Sequence, residues 1–165
     1  MHANIFSLTY LVANAISLAV LIAAIFWPQV ARLLLVMIFI GAALFNAVMA
    51  IREPELFMTY GAMTASAAYE QFIYGAFRNN ITAIVVSISI CQLATGFFIA
   101  ARDALLKLGL IAATIFLVAI APLGAGSAFP STLLLAAAAV ILFFKTNFLS
   151  SHPLPNIFHH SFSHH

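Results

Sequence analysis

Apolar residues in this chain run in long blocks rather than in short alternations, and short polar or proline-containing breaks separate the blocks. The first is IFSLTYLVANAISLAVLIAAIFW, Ile5 to Trp27, stopped by Pro28; the second is LLLVMIFIGAALFNAVMAI, Leu33 to Ile51, closed by the charged REPE of Arg52 to Glu55. ITAIVVSISICQLATGFFIAA, Ile81 to Ala101, and LGLIAATIFLVAIAP, Leu108 to Pro122, follow. The turn-like LGAGSAFPST precedes a last run, LLLAAAAVILFF, Leu133 to Phe144. Near-continuous apolar stretches approaching 20 residues predict helices that cross the hydrocarbon core. The last run is short, but it extends back to Pro130 as a first helical residue and forward past Lys145, whose ammonium can snorkel to the interface. Trp27 suits the interfacial aromatic belt.

Between the second and third runs lies a segment of another kind, Leu56 to Phe77. It is long enough to cross a bilayer, at roughly 33 Å as a helix. Yet it carries Thr59, Tyr60, Thr64, Ser66, Tyr69, Glu70, Gln71 and Tyr74. A carboxylate at bilayer depth costs at least ~2.5 kcal/mol on insertion scales unless it is paired or neutral. An interfacial or re-entrant helix, buried against the bundle, fits better. The basic residues do not choose between the alternatives. If the segment spans, Arg52, Arg102, Lys107 and Lys145 share one side and Arg32 and Arg78 the other. If it does not, Arg32, Arg102, Lys107 and Lys145 face Arg52 and Arg78. Both arrangements put the C-terminal tail on the basic, cytoplasmic side. The expected fold is therefore all-α: a polytopic transmembrane helix bundle of about five spans plus one interfacial or re-entrant helix. Residues 1–145 form the bundle and 146–165 a His-rich cytoplasmic tail.

Polar residues fall into stripes at helical spacing. Tyr10, Asn14 and Ser17 align in the first run, Asn46, Met49 and Glu53 in the second, and Ser89, Gln92, Gly96 and Asp103 in the third. Such stripes turn away from lipid, because an unpaired amide in hydrocarbon is costly. They serve either as adhesion between helices or as the wall of a polar pocket. In the second case the ligand-binding candidates are Glu70, Gln92, Asn14, Asn46 and Tyr74. Glu70 is either a headgroup-level charge near Arg78, or a buried acid that carries a proton or anchors a ligand beside Tyr69 and Tyr74. Gly109 and Ala113, four apart, allow close helix approach.

Composition agrees with the pattern and narrows the chemistry. The chain has 165 residues, 65% hydrophobic and 6% charged, with a mean hydropathy of +1.14. A soluble domain carries about a quarter charged residues; this chain has too few, so its main solvent is lipid. The net charge of +2 is scattered singly, which argues against nucleic acid as a partner. The lone Cys91 forms no internal disulfide and no CxxC site, and is read as a packing residue. The first run lacks a basic leader and a cleavage site, so it is expected to be a retained membrane helix. No histidine lies in a span, so a membrane haem with paired axial histidines is not expected. HExxH, GxSxG, P-loop and GxGxxG motifs are absent. GAGSAF, Gly124 to Phe129, is read as a turn. The tail HHSFSHH holds weak metal-ligating candidates in His159, His160, His164 and His165, because neutral imidazoles cluster there.

The stretch from Leu106 to Leu142, with short helices around a Gly/Pro-rich break, resembles the C-terminal half of small DoxX-like membrane proteins. Phe45 to Phe57, with its Arg-x-Pro break after a span, is similar in layout. The resemblance implies a compact helical bundle, in some members a small membrane subunit of a quinone-linked oxidoreductase. It assigns no catalytic residue, and the extra span and His-rich tail depart from the usual four-span pattern. From the sequence, the expected function is a non-catalytic membrane subunit or accessory protein of the cell (inner) membrane. It would pack against other membrane subunits and help hold a lipophilic cofactor, quinone or pigment, though no particular cofactor is indicated. The alternative is a stand-alone carrier of a small lipophilic or weakly polar ligand, with a pocket around Glu70.

Overall fold

The computed structural model describes residues 8–151, and these are helical almost throughout. In chain order the helices are α1 (Leu8–Phe26), α2 (Pro28–Arg52), α3 (Thr59–Met63), α4 (Ala67–Phe72), α5 (Ile81–Ala100), α6 (Asp103–Ile120), α7 (Ser131–Phe144) and α8 (Thr146–Ser151). Four helical stretches are long and apolar enough to cross a membrane: Leu8–Phe26, Pro28–Arg52, Ala67–Ala100 and Asp103–Ser127. The third is interrupted at Gly75, whose backbone (φ −99°, ψ −108°) is not helical. Helix α7 is apolar but has 14 residues, roughly 21 Å of rise.

The five longer helices close a ring in which α1 packs on α2, α2 on α5, α5 on α6, α6 on α7, and α7 on α1. Neighbours run antiparallel except α7 and α1, which run parallel, Ser131 lying at Ser17 and Lys145 at Ala24. Along α2 and α5 the register is marked by Thr82 Oγ1 donating to Ala50 O, by Asn46 beside Gln92, by Gly96 against Ile40, and by Arg32 at Ile99. Small residues set the closest approaches, as the Gly109 and Ala113 spacing predicts. A Cβ on Gly109 would stand 2.6 Å from Ile99 N, so α6 touches the α5 backbone there. Ala113, one turn on, is fully buried. A Cβ on Gly96 would meet Ile40 Cγ1 at 2.8 Å.

The antiparallel α2–α5 pair decides the ambiguous segment. Residues 53–80 leave and rejoin the bundle at the same end, so they form a cap rather than a crossing helix. The cap is not one helix, as the sequence suggested, but a broken path. It runs through a 3-10 turn at Pro54–Met58, α3, an extended break at Thr64–Ser66, α4, a π-helical turn at Ile73–Phe77 and a 3-10 turn at Arg78–Asn80. Thr64 and Tyr69 bond the bundle, whereas Glu70 and Gln71 are exposed. At the opposite end α8 packs on α6 and α7, with Thr146 and Leu149 buried. The bundle thus continues past Lys145.

Two boundaries differ from the sequence expectation. Helix α2 begins at Pro28 rather than Leu33, because proline is well placed at a first helical position. This draws Arg32 into the packed core, where it is 0% exposed. Pro130 precedes α7 rather than starting it, across a cis Phe129–Pro130 bond.

Candidate functional site

The cap is latched to the C-terminal end of α6. Thr64 Oγ1 donates to Pro122 O at 2.6 Å and Ala65 N to the same oxygen at 3.0 Å, while Tyr69 Oη donates to Ala119 O at 2.5 Å. A helix ends with carbonyls that lack intrahelical donors, and in an apolar surrounding each must find one. The hydroxyls of the cap supply them. The close fit requires a bare backbone at Gly124, where φ is +61° and a Cβ would lie 2.7 Å from Met63 O. Tyr60 packs its ring on Gly126, and Tyr74 packs its ring on Gly61.

Beneath this cap, between α2, α5 and α6, is a cavity of about 250 Å³. Phe57, Tyr60, Phe72 and Phe77 of the cap roof it, and Ile84, Val85 and Ile88 of α5 and Phe116 of α6 form its walls. At the end farthest along α5 from the cap stand Asn46 and Gln92, with Asn46 Nδ2 donating to Gln92 Oε1 at 3.0 Å. Gln92 is 5% exposed. Among the described residues this is the only hydrogen bond made by either side-chain amide. Two primary amides joined by one hydrogen bond leave a carbonyl acceptor on one partner and N–H donors on both. The cavity is therefore a largely apolar chamber whose polar groups are the Asn46–Gln92 pair and the hydroxyls of Tyr60, Tyr69 and Ser127, the last two bonded to Ala119 O and Gly124 O. Among the described residues no charged side chain lines it. Burial pushes the Tyr60 hydroxyl above its ordinary range, so that phenol stays neutral.

Of the five ligand-binding candidates, the structure brings Asn46 and Gln92 together and leaves the other three elsewhere. Glu70 is exposed. It sits in the first turn of the short helix α4. Tyr69 takes the inward position, and the next residue points about 100° away around a helix. The cavity is therefore not built around Glu70. Tyr69 bonds Ala119 O and Tyr74 rests on Gly61, so these phenols are directed to the bundle and to the cap itself. Asn14 donates to Tyr10 O and Ala128 O, at 3.0 and 3.3 Å. With the Tyr10 hydroxyl on Phe129 O and the 2.5 Å Ser17–Ser131 contact, it forms a seam that joins α1 to the start of α7. That stripe is adhesion between helices. The α2–α5 stripe is adhesion and cavity wall at once. His159, His160, His164 and His165 lie outside the described residues. Among the described residues no cluster of three or more His, Cys, Asp or Glu side chains is placed to hold a metal.

Sequence reasoning had no reason to select Phe57, Tyr60 or Phe116, since an aromatic residue in an apolar run carries no signal of its own. The mixed polarity of the 56–77 segment was the usable clue, because a segment too polar for lipid and too apolar for water has to cover something. No family model, curated protein or solved structure matches this chain.

Proposed function

We propose that this protein is a non-catalytic integral membrane component that holds a small lipophilic molecule in the cavity under its cap. The observation that carries the reading is the Asn46–Gln92 pair. Two amides placed only to join α2 and α5 need no adjacent empty chamber; here their remaining hydrogen-bonding capacity opens into one. The cavity is slightly smaller than typical ligand pockets of about 300–1,000 Å³, so it suits a head group or a compact cofactor better than a whole lipid. In this reading the five long helices are the spans and the cap lies at one membrane face. The α8 end carries Arg32, Arg102, Lys107 and Lys145 and faces the cytoplasm, as the positive-inside rule requires.

Extraction from the native membrane in mild detergent, followed by native mass spectrometry and an absorption spectrum, tests this. A stoichiometric small-molecule adduct or a chromophore, lost in Gln92→Leu, supports it. A protein that never carries an adduct, from any membrane that expresses it, overturns it. Companion subunits in the same spectrum would make it an accessory subunit, and their absence a stand-alone carrier.

A further inference from the structure

The cavity has a second side. A groove on the outer surface of the bundle, between α5 and α6, is lined by Ala83, Ser87 and Cys91, and it shares Ile84, Ile88 and Phe116 with the cavity. These three side chains line both spaces, so the partition between them is one side chain thick. Ile88, which lines both spaces, is 37% exposed. Toward the aqueous end, in contrast, the cavity is covered by the aromatic roof and by the hydrogen bonds from Thr64, Ala65 and Tyr69. Rotation of Ile88 or Phe116 opens the side wall without breaking a hydrogen bond, whereas opening the roof breaks three. Exposed side chains change rotamer in picoseconds to nanoseconds, which makes the side wall the easier way through.

We infer that the ligand is an uncharged lipophile bearing a carbonyl or hydroxyl group, and that it passes between α5 and α6 directly from the bilayer. This deepens, and rests on, the lipophile-binding reading above. The absence of charge follows from the lining. An anionic or cationic head group would be stripped of water beside no opposite charge, which an apolar chamber penalises heavily. A carbonyl or hydroxyl has what it needs: Gln92 and Asn46 present N–H donors to a carbonyl, and the spare amide oxygen accepts from a hydroxyl. The apolar remainder of the ligand lies along Ile84, Ile88 and Phe116 and extends through the side wall into lipid.

The test uses the full chain in phospholipid nanodiscs and two photoreactive probes, a dodecan-2-one with a chain diazirine and terminal alkyne, and the matching fatty carboxylate. The ketone is expected to label peptides of α5 and α6 saturably and to be displaced by unlabelled dodecan-2-one. Labelling should fall about five- to tenfold in Gln92→Leu, as for loss of one or two hydrogen bonds, and its rate should drop in Ile88→Trp, which blocks the partition. Ile88 is partly exposed, so this variant carries the test if Gln92→Leu fails to assemble. Equal saturable labelling by the carboxylate overturns the ligand class and leaves lipophile binding standing. An unchanged rate in Ile88→Trp overturns the lateral route. No saturable labelling by either probe overturns this inference and the binding reading together.

Discussion

The two ends of the bundle solve one problem in different ways. At each, helices stop inside or near lipid and leave carbonyls without donors. At the α8 end, cations answer them. Arg32 donates through Nε to Ile99 O at 2.8 Å, through Nη1 to Leu149 O at 3.2 Å, and through Nη2 to Ala100 O at 3.0 Å and to Ala101 O. Lys145 Nζ donates to Ala24 O and Ile25 O, at 3.0 and 2.6 Å, and so closes α1. Positive charge at a helix C-terminus is favourable, and the result is a dense end in which Arg32 and Leu149 are wholly buried. At the cap end, neutral hydroxyls do the same work: Thr64 and Tyr69 for α6, and Thr82 for α2 through Ala50 O at 2.9 Å. Hydroxyls bond one carbonyl at a time and bring no charge, so the cap end can leave a neutral chamber open. An end sealed by a guanidinium could not host an uncharged lipophile without a charge beside it. In the proposed reading, one end serves stability and the other binding.

That contrast can be broken most severely at Arg32. Arg32→Met strands acceptors on Ile99, Ala100, Ala101 and Leu149, at about 1–3 kcal/mol for each group left buried and unpaired. The expected outcome is failure to assemble, or a loss of thermal stability in detergent larger than for any cap-end variant, with Arg32→Lys intermediate. A smaller effect is expected between the ends. Gly109→Val forces a side chain against the α5 backbone near Ile99, and overpacking of this kind costs about 1–3 kcal/mol. Chemical denaturation in mixed micelles measures it, and wild-type stability would show that α5 and α6 are not in close contact there. Gln92→Leu should cost less, about 0.6–2 kcal/mol for an interhelical amide bond in a membrane, while removing the bound ligand. A variant that lost stability but kept its ligand would separate the amide pair from binding. Tyr69→Phe removes one latch, about 0.5–1.5 kcal/mol, and should speed hydrogen exchange over residues 64–80 without altering α8. Glu70→Gln should change neither assembly nor ligand retention. If it abolished retention, the ligand would sit around the exposed face of α4, and the assignment of binding to the inner cavity would fail.

Much of this was legible along the chain. Block length and hydropathy announce helices in lipid, because a helix in hydrocarbon must be apolar over a fixed length, and that constraint is local. The polar stripes were readable for the same reason, since an amide in an apolar run must find a partner. Asn14, Asn46 and Gln92 each did. Glu70 attracted notice by its charge, but charge alone does not say which way a residue faces in a helix of six residues. Arg32 looked like a loop charge beside an apolar run, and nothing nearby shows that the carbonyls waiting for it come from Ile99 to Ala101.

The sequence thus settled the solvent, the helical class and the pairing need of each buried polar group, all of which depend on composition and spacing over a few turns. Partner choice was left to the folded chain. Whether the 53–80 segment crosses or caps depends on α5 returning alongside α2. Whether Asn46 and Gln92 merely join two helices or also face a chamber depends on where the cap and α6 stop. These are contacts between residues distant along the chain, fixed by backbone approach at Gly96, Gly109 and Gly124, and local periodicity carries no record of them.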